Sequence, residues 1–303
     1  MSKCLVTGGA GFIGSHVVDM LIGIGHEVYV ADNESSLVSN SFYWNKKAKE
    51  NFKENLCDYS KAVAIFREAR PEYIFHLAAN ASIQAAVENP KLTLENNFSS
   101  TMNVLDCSRL YGGKRVIFSS TSSVYGSSPA PQVESSKTEP LNFYAESKVM
   151  GEGAMKLYHK LYGLETVCLR YFNVYGERQS TQGAYASVVG AFLEASRKGE
   201  TLKIHGDGLQ ERDFIHVGDV ARCNILGAFS HNKKALGSII NIGTGESTSV
   251  LNLAKMISNN IDFLPERNGE TKKSRADISN LKELLNFTPE NRLKTWVNNY
   301  NDP

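Results

Sequence analysis

Apolar residues in the first half of the chain alternate between two rhythms. Short runs around Cys4–Val6, Glu27–Asp32, Tyr73–His76, Arg115–Ser119 and Thr166–Arg170 have the length and continuity of strands buried on both faces. Between them, Phe12–Ile24, Tyr59–Ala69, Leu92–Tyr111 and Phe143–Tyr162 carry apolar residues at helical spacing. Strands alternating with amphipathic helices predict a parallel sheet covered on both sides, a doubly wound Rossmann-type α/β domain. After Gly176 the rhythm changes, with helices expected at Ser187–Lys198, Val217–Phe229 and Val250–Ile261 among short strands and loops. The expected division is a dinucleotide-binding domain over 1–176, with a return segment near 217–242. A smaller substrate-binding domain is expected over 177–216 and 243–303.

Composition narrows this picture mainly by exclusion. The 303 residues are 42% hydrophobic and 21% charged, ordinary for a chain with a real core, and the net charge is +1. That balance builds no field for nucleic acid or an acidic membrane. No apolar run approaches the roughly 18 residues of a membrane span, and the glycines after Thr7 interrupt any leader-like segment. Five scattered cysteines without CxxC spacing read as thiols of a reducing, cytoplasmic compartment. The seven histidines show no metal-ligand spacing, so no metal is expected.

The first chemical signal is TGGAGFIGSH at Thr7–His16, which leaves the first strand and enters the first helix. Gly9-x-Gly11-x-x-Gly14 fits a phosphate-binding turn, in which glycines let backbone N–H groups touch a pyrophosphate at a helix N-terminus. Asp32 follows at the end of the second strand, eighteen residues after Gly14. A carboxylate there accepts hydrogen bonds from ribose hydroxyls and repels a 2′-phosphate. With no Arg or Lys close in sequence, the reading is NAD rather than NADP.

The second signal is Tyr144 with Lys148, a YxxxK pair on one helix face. Tyr43 and Lys47 form another such pair, but after a serine-rich loop without clear period. Tyr144 instead follows a strand that runs into Ser119-Ser120-Thr121-Ser122-Ser123. A phenol ordinarily titrates near pH 10, at about its unperturbed value in a peptide, and needs nearby positive charge to act as a base at neutral pH. A tyrosine, a lysine and a hydroxyl are the parts that remove an alcohol proton while its carbon loses hydride.

TGGAGFIGSH, SSTSSVYG (Ser119–Gly126), YAESK (Tyr144–Lys148), LRYFNVYG (Leu169–Gly176) and GDGLQERDFIHVGDVA (Gly206–Ala221) together resemble the extended short-chain dehydrogenase/reductase family. The nearest branch is that of the nucleotide-sugar epimerases, of UDP-glucose 4-epimerase type. The resemblance implies a base at Tyr144, a ribose-binding lysine at Lys148 and a catalytic hydroxyl at Thr121. It implies NAD contacts from Gly8, Gly11, Phe12, Ile13, Gly14, Asp32, Asn33, Asp58, Tyr59, Leu77, Ala78, Ala79, Asn97 and Phe172. Ser100 stands where relatives usually have glycine, three residues after that asparagine. For a UDP-sugar it implies contacts from Ser122, Asn173, Arg212, Arg267 and Glu270, with Ser274 near the sugar C2 substituent. It also implies a homodimer built from Leu92–Tyr111 and Phe143–Tyr162, whose Val104, Leu105, Met150 and Leu157 exceed what one sheet face needs.

Plainer readings stand beside these. Asn173 could serve a turn, Arg212 could pair with Asp213 at the surface, and Glu270 and Ser274 could be solvated loop residues. Asp219 reads as a helix cap, and His76 and His216 as structural.

Within the family, dehydratases resemble this chain but carry an Asp-Glu pair where Ser122 and Ser123 stand, and UDP-glucuronate decarboxylases place Glu at Ser123. Elimination needs an extra acid and base that epimerisation does not, so the serines favour an epimerase. A decarboxylase or uronic-acid epimerase is the alternative, and relatives acting on uronates often have arginine at the position of Gln84. A catalytically silent NAD-binding regulator or scaffold is the alternative of another class.

Overall fold

The short apolar runs become the middle of one parallel sheet in the computed structural model, which describes residues 1–36, 41–181, 186–266, 271–290 and 292–301. In chain order the first half runs β1 (Lys3–Thr7), α1 (Phe12–Gly23), β2 (Glu27–Asp32), β3 (Glu50–Lys53), α2 (Tyr59–Ala69), β4 (Tyr73–His76), α3 (Ile83–Glu88), α4 (Pro90–Leu94), α5 (Ser100–Leu110), β5 (Arg115–Thr121), α6 (Phe143–Tyr162), β6 (Glu165–Tyr171) and β7 (Asn173–Tyr175). There follow α7 (Val188–Arg197), β8 (Leu202–His205), β9 (Glu211–Arg212), β10 (Phe214–His216), α8 (Val217–Phe229), β11 (Ser238–Ile242), β12 (Thr248–Ser249), α9 (Val250–Ile257), β13 (Ile261–Leu264), β14 (Lys273–Ser274), α10 (Ser279–Leu285) and α11 (Leu293–Asn301).

Seven parallel strands form the main sheet in the order β11-β6-β5-β4-β1-β2-β3. The chain builds outward from β1 in one direction and then from β4 in the other, so a crevice opens at the carboxyl ends of β1 and β4. Alternation along β1 feeds two cores. Cys4 and Val6 pack with Val17 and Leu21 of α1 and Val220 of α8. Leu5 packs on the opposite face with Ala62 of α2, Val104 of α5 and Met155 of α6. A third core, of Phe192, Leu202, Leu253 and Val297, joins α7, β8, α9 and α11 beside the sheet.

Several elements differ from the sequence reading. Strand β3 was not anticipated, because its ENFK sequence has no apolar run. Leu92–Tyr111 is not one regular α-helix: it starts at Pro90 under the Asn89 cap, and a single π turn over Glu95–Ser99 separates α4 from α5. Ser100 and Thr101 donate their hydroxyls to carbonyls of that turn, which accommodates the wider winding. The expected Val250–Ile261 helix stops at Ile257, and Ile261 begins β13, paired with β8. Asp219 does not cap α8. His216 does, its Nδ1 accepting from the Gly218 N–H, while Asp219 is buried in the first turn opposite Arg292.

Helix α6 decides where the chemistry sits. The Asn142 side chain caps it by accepting from the Ala145 N–H, and Gly163 in a left-handed conformation ends it. Gly151 allows its close approach to β5: a Cβ there would lie 2.4 Å from the Phe118 ring. That approach sets Tyr144 and Lys148 over the end of β5.

Candidate active site

The glycine turn between β1 and α1 is shaped partly by the protein and partly for a ligand. Gly8 adopts φ +68, and a Cβ on it would come 2.7 Å from the Ala78 amide nitrogen. At Gly14 a Cβ would come 2.1 Å from the Gly8 carbonyl oxygen, so this glycine lets α1 pack against the turn. Gly11 is different. Its φ of −78 suits any residue, and an added Cβ would meet protein only at 3.3 Å. Gly11 lines the cleft and begins α1 without a side-chain cap, so a side chain there would fill the space over the helix N-terminus. Such a cradle fits a dinucleotide pyrophosphate.

Most of the expected cofactor residues line this one cleft: Gly8, Gly11, Phe12, Ile13, Gly14, Asp32, Asn33, Leu77, Ala78, Ala79, Tyr144 and Lys148. Asp32 also holds the turn itself, its carboxylate accepting from the Ala10 N–H at 3.1 Å and the Glu34 N–H at 2.8 Å. Burial raises its pKa while those N–H groups oppose the rise.

Asp58 and Tyr59 are not among the lining residues. Asp58 caps α2 through the Ser60 N–H, and Tyr59 donates to Asp106. Glu54, Asn55, Leu56 and Cys57 form that wall instead. Asn97, 2% exposed, acts behind the wall: its amide bonds both backbone groups of Asn80 and the Ser147 hydroxyl, fixing the loop after β4 to α6. Phe172 is likewise behind it, packed on Tyr125.

At the Tyr144 end of the cleft, the Lys148 ammonium donates to the Ser119 carbonyl at 2.8 Å and lies 4.9 Å from the centre of the Phe118 ring. Burial brings its pKa down to about 8, opposed by the Glu152 carboxylate one turn on. Burial raises the Tyr144 phenol above its ordinary value, and its hydrogen bond with Thr121 opposes the rise. Lys148 is thus bonded to the strand rather than to the phenol, and these neighbours alone do not make Tyr144 a base at neutral pH. Thr121 also caps the turn over Ser122–Tyr125 by accepting from the Ser123 N–H.

The buried pair Glu152 and Arg170, and Tyr171 beside it, were not foreseen. Ser120 donates to Glu152 at 2.5 Å, Arg170 grips the same carboxylate with two nitrogens, and Tyr171 bonds the Ser119 hydroxyl and Asn224. Lys148 and Glu152 do sit at i,i+4 on one helix face, the only local clue. His76 is neutral and structural, bonded to Thr7 and Thr101, with its pKa lowered to about 3 by burial and Lys148.

A small sheet brings Arg212 and Ser274 together. They are register partners in β9 and β14, so their side chains leave the same face. Arg212 donates to the Glu211 and Thr271 carbonyls and does not pair with Asp213. Asp213 is fully buried, and its carboxylate accepts from Thr244, Gly245 and Ala276. Asn173 donates its side chain to the Asp213 carbonyl. Thr271 donates to the Gly126 carbonyl, and Gln132 bonds the Arg275 backbone, tying this segment to the loop after the serine-rich turn. Arg267 and Glu270 lie outside the described residues. Among the described residues no three His, Cys, Asp or Glu side chains gather as a metal site, and no helix is long and apolar enough to cross a membrane.

The model of the NAD dependent epimerase/dehydratase family matches residues 4–243. The chain belongs to that family. It is 35% identical to the UDP-glucose 4-epimerase of Mycolicibacterium smegmatis, over 95% of this chain and 94% of that protein. Its fold matches the crystal structure of UDP-glucose 4-epimerase with UDP-glucose from Thermotoga maritima, with TM-score 0.91 and 37% identity over 97% of this chain and 96% of that one. It also matches the UDP-N-acetylglucosamine 4-epimerase of Methanobrevibacter ruminantium in complex with UDP-N-acetylmuramic acid, with TM-score 0.90 and 37% identity over 98% and 96%. This NAD-dependent family therefore supplies the cofactor that the glycine cradle fits.

Proposed function

We propose that this chain is an NAD-dependent 4-epimerase of UDP-sugars that accepts both unsubstituted and N-acetylated hexoses. The observation that carries the reading is the Tyr144 phenol hydrogen-bonded to Thr121, one helical turn from Lys148 and over the cleft that the glycine turn lines. Bound NAD supplies a reversible hydride acceptor beside a positive ring, which is the charge the phenol lacks in its protein surroundings. Tyr144 takes the proton of the sugar 4-hydroxyl as C4 gives up hydride, and returns a proton to that oxygen when the turned-over 4-keto sugar regains hydride on the other face of C4. Thr121 holds the phenol and the sugar oxygen in line. Lys148, held by the Ser119 carbonyl, places its charge at the nicotinamide ribose. Arg212, with Arg267, neutralises the UDP diphosphate, since guanidinium groups bind phosphate oxygens in pairs.

Ser123 gives its N–H to Thr121 and hydrogen-bonds it through the hydroxyls, so the turn offers no second carboxylic acid for elimination. Gln84 donates to Glu88 at 2.9 Å and is no counter-ion for a uronate. Ser274, facing as Arg212 does, leaves room that a tyrosine would fill.

Product analysis by NMR after incubation with a panel of UDP-sugars tests the reading. Interconversion of UDP-glucose with UDP-galactose, and of the N-acetylated pair, is expected. Ser274→Tyr should lose the N-acetylated pair and keep the other. No 4-epimer from any sugar removes the epimerase and leaves the silent NAD-binding reading. Parallel loss of both classes in Ser274→Tyr removes the gate.

A homodimer through α5 and α6 accompanies the proposal. Val104 and Leu105 do not contribute, as both are fully buried within the chain. Leu110, Leu157, Leu161 and Tyr162 are each more than half exposed and supply the apolar face. Light scattering at micromolar concentration should give twice the chain mass of 33.4 kDa. A monomer mass contradicts it.

A further inference from the structure

Asp32 and the catalytic Tyr144 sit at opposite ends of the cleft. The strand order places β2 three steps from β5, about 14 Å at the usual spacing of parallel strands. Next to β2 at the sheet edge lies β3, whose last residue, Lys53, is the register partner of Asp32. Partners in a parallel ladder send their side chains to the same face, so the fold delivers an ammonium group beside the carboxylate thought to exclude a 2′-phosphate. Taken alone, that neighbour would favour NADP.

The ammonium is not left facing Asp32. Lys53 forms an ion pair with Glu34. Glu34 is held for this purpose by three constraints. Its backbone takes the left-handed conformation, with φ +54. Its N–H donates to Asp32 at 2.8 Å, and its carboxylate accepts from the Trp44 indole N–H at 2.7 Å. The next cation along, Lys61, is tied in the same way to Glu54, which lines the cleft. Asp32, Glu34 and Glu54 thus surround this end with three carboxylates, and both ammonium groups are paired with an acid.

We propose that Glu34 is a second determinant of dinucleotide choice, acting by holding Lys53 in an ion pair and away from the position a 2′-phosphate would occupy. The inference rests on the reading of the Asp32 end as the adenosine ribose site of bound NAD. Lys53 is two-thirds exposed, so the pair is weakened by salt and its effect on binding is moderate.

The test is equilibrium titration of NAD and NADP against the full chain, followed by intrinsic tryptophan fluorescence or calorimetry at low and high salt. Glu34→Gln keeps an acceptor for Trp44 and removes the charge. NADP affinity should rise about three- to tenfold at low salt, and less at high salt, while NAD affinity changes less than twofold. Glu34→Asn, a residue that tolerates the left-handed conformation, provides a second variant if the first is unstable. In Glu34→Gln/Lys53→Met the gain should vanish. Unchanged NADP affinity in both Glu34 variants overturns the proposal. So does a gain that persists without Lys53, because Glu34 would then act only by its own charge. Failure of the unmodified chain to bind NAD, or equal affinity for both nucleotides, instead strikes the underlying reading of the Asp32 end.

Discussion

Tyr144→Phe is expected to lower turnover by about 10²–10⁴-fold, the range for loss of one acid/base group, with fold and NAD binding intact. The substitution keeps the ring and removes only the hydroxyl. Thr121 retains its bond from the Ser123 N–H, so the turn after β5 keeps its cap. Lys148 is held by the Ser119 carbonyl and not by the phenol, so the ammonium stays in place. The loss should therefore appear in kcat, with the NAD dissociation constant and the melting temperature close to those of the unmodified chain. Full turnover by Tyr144→Phe would remove the proposed base. A large loss of NAD affinity would show instead that the phenol is needed to build the cleft.

How much of this was legible in the sequence depends on how local each signal is. Helix α6 has the bounds expected from its apolar spacing, and the structure shows Asn142 and Gly163 closing its two ends. The glycine turn was legible for the same reason, as its function lies in one short stretch. Lys53 was not. It reaches Asp32 only through β3, a polar edge strand without apolar rhythm, so the sequence shows no cation near that carboxylate. The bonds of Asp213 to Thr244, Gly245 and Ala276 join distant segments, and nothing local distinguishes it from a surface partner of Arg212. The side chain of Asp58 serves the start of α2, a role that its position before a helix also predicts. The π turn has no local signature, since its residues keep ordinary helical composition.

The buried pair beside Lys148 should give the largest effect on stability. Glu152 and Arg170 are 5% and 3% exposed, joined by two hydrogen bonds of 2.8 and 2.7 Å. Arg170 also lies over the Tyr125 ring, and its Nη1 is buried without a protein partner. Glu152→Ala would leave that guanidinium charged, desolvated and stripped of its counter-ion, a cost of about 3–5 kcal/mol. For a chain of this size the melting temperature should fall on the order of 10 °C. Replacing both partners with apolar residues of similar volume, Glu152→Leu/Arg170→Met, should restore most of that stability, because the guanidinium stranded by Glu152→Ala is removed as well. Activity should not return with it. Ser120, which lines the cleft, would still lack the acceptor that Glu152 provides. Lys148 would lose the carboxylate that opposes its desolvation, so its pKa would move below about 8 and its neutral fraction would grow at neutral pH. Thermal melts and turnover on the same samples separate the two effects: recovery of both together would make the pair merely structural, and an unchanged melting temperature in Glu152→Ala would mean that the guanidinium finds another partner.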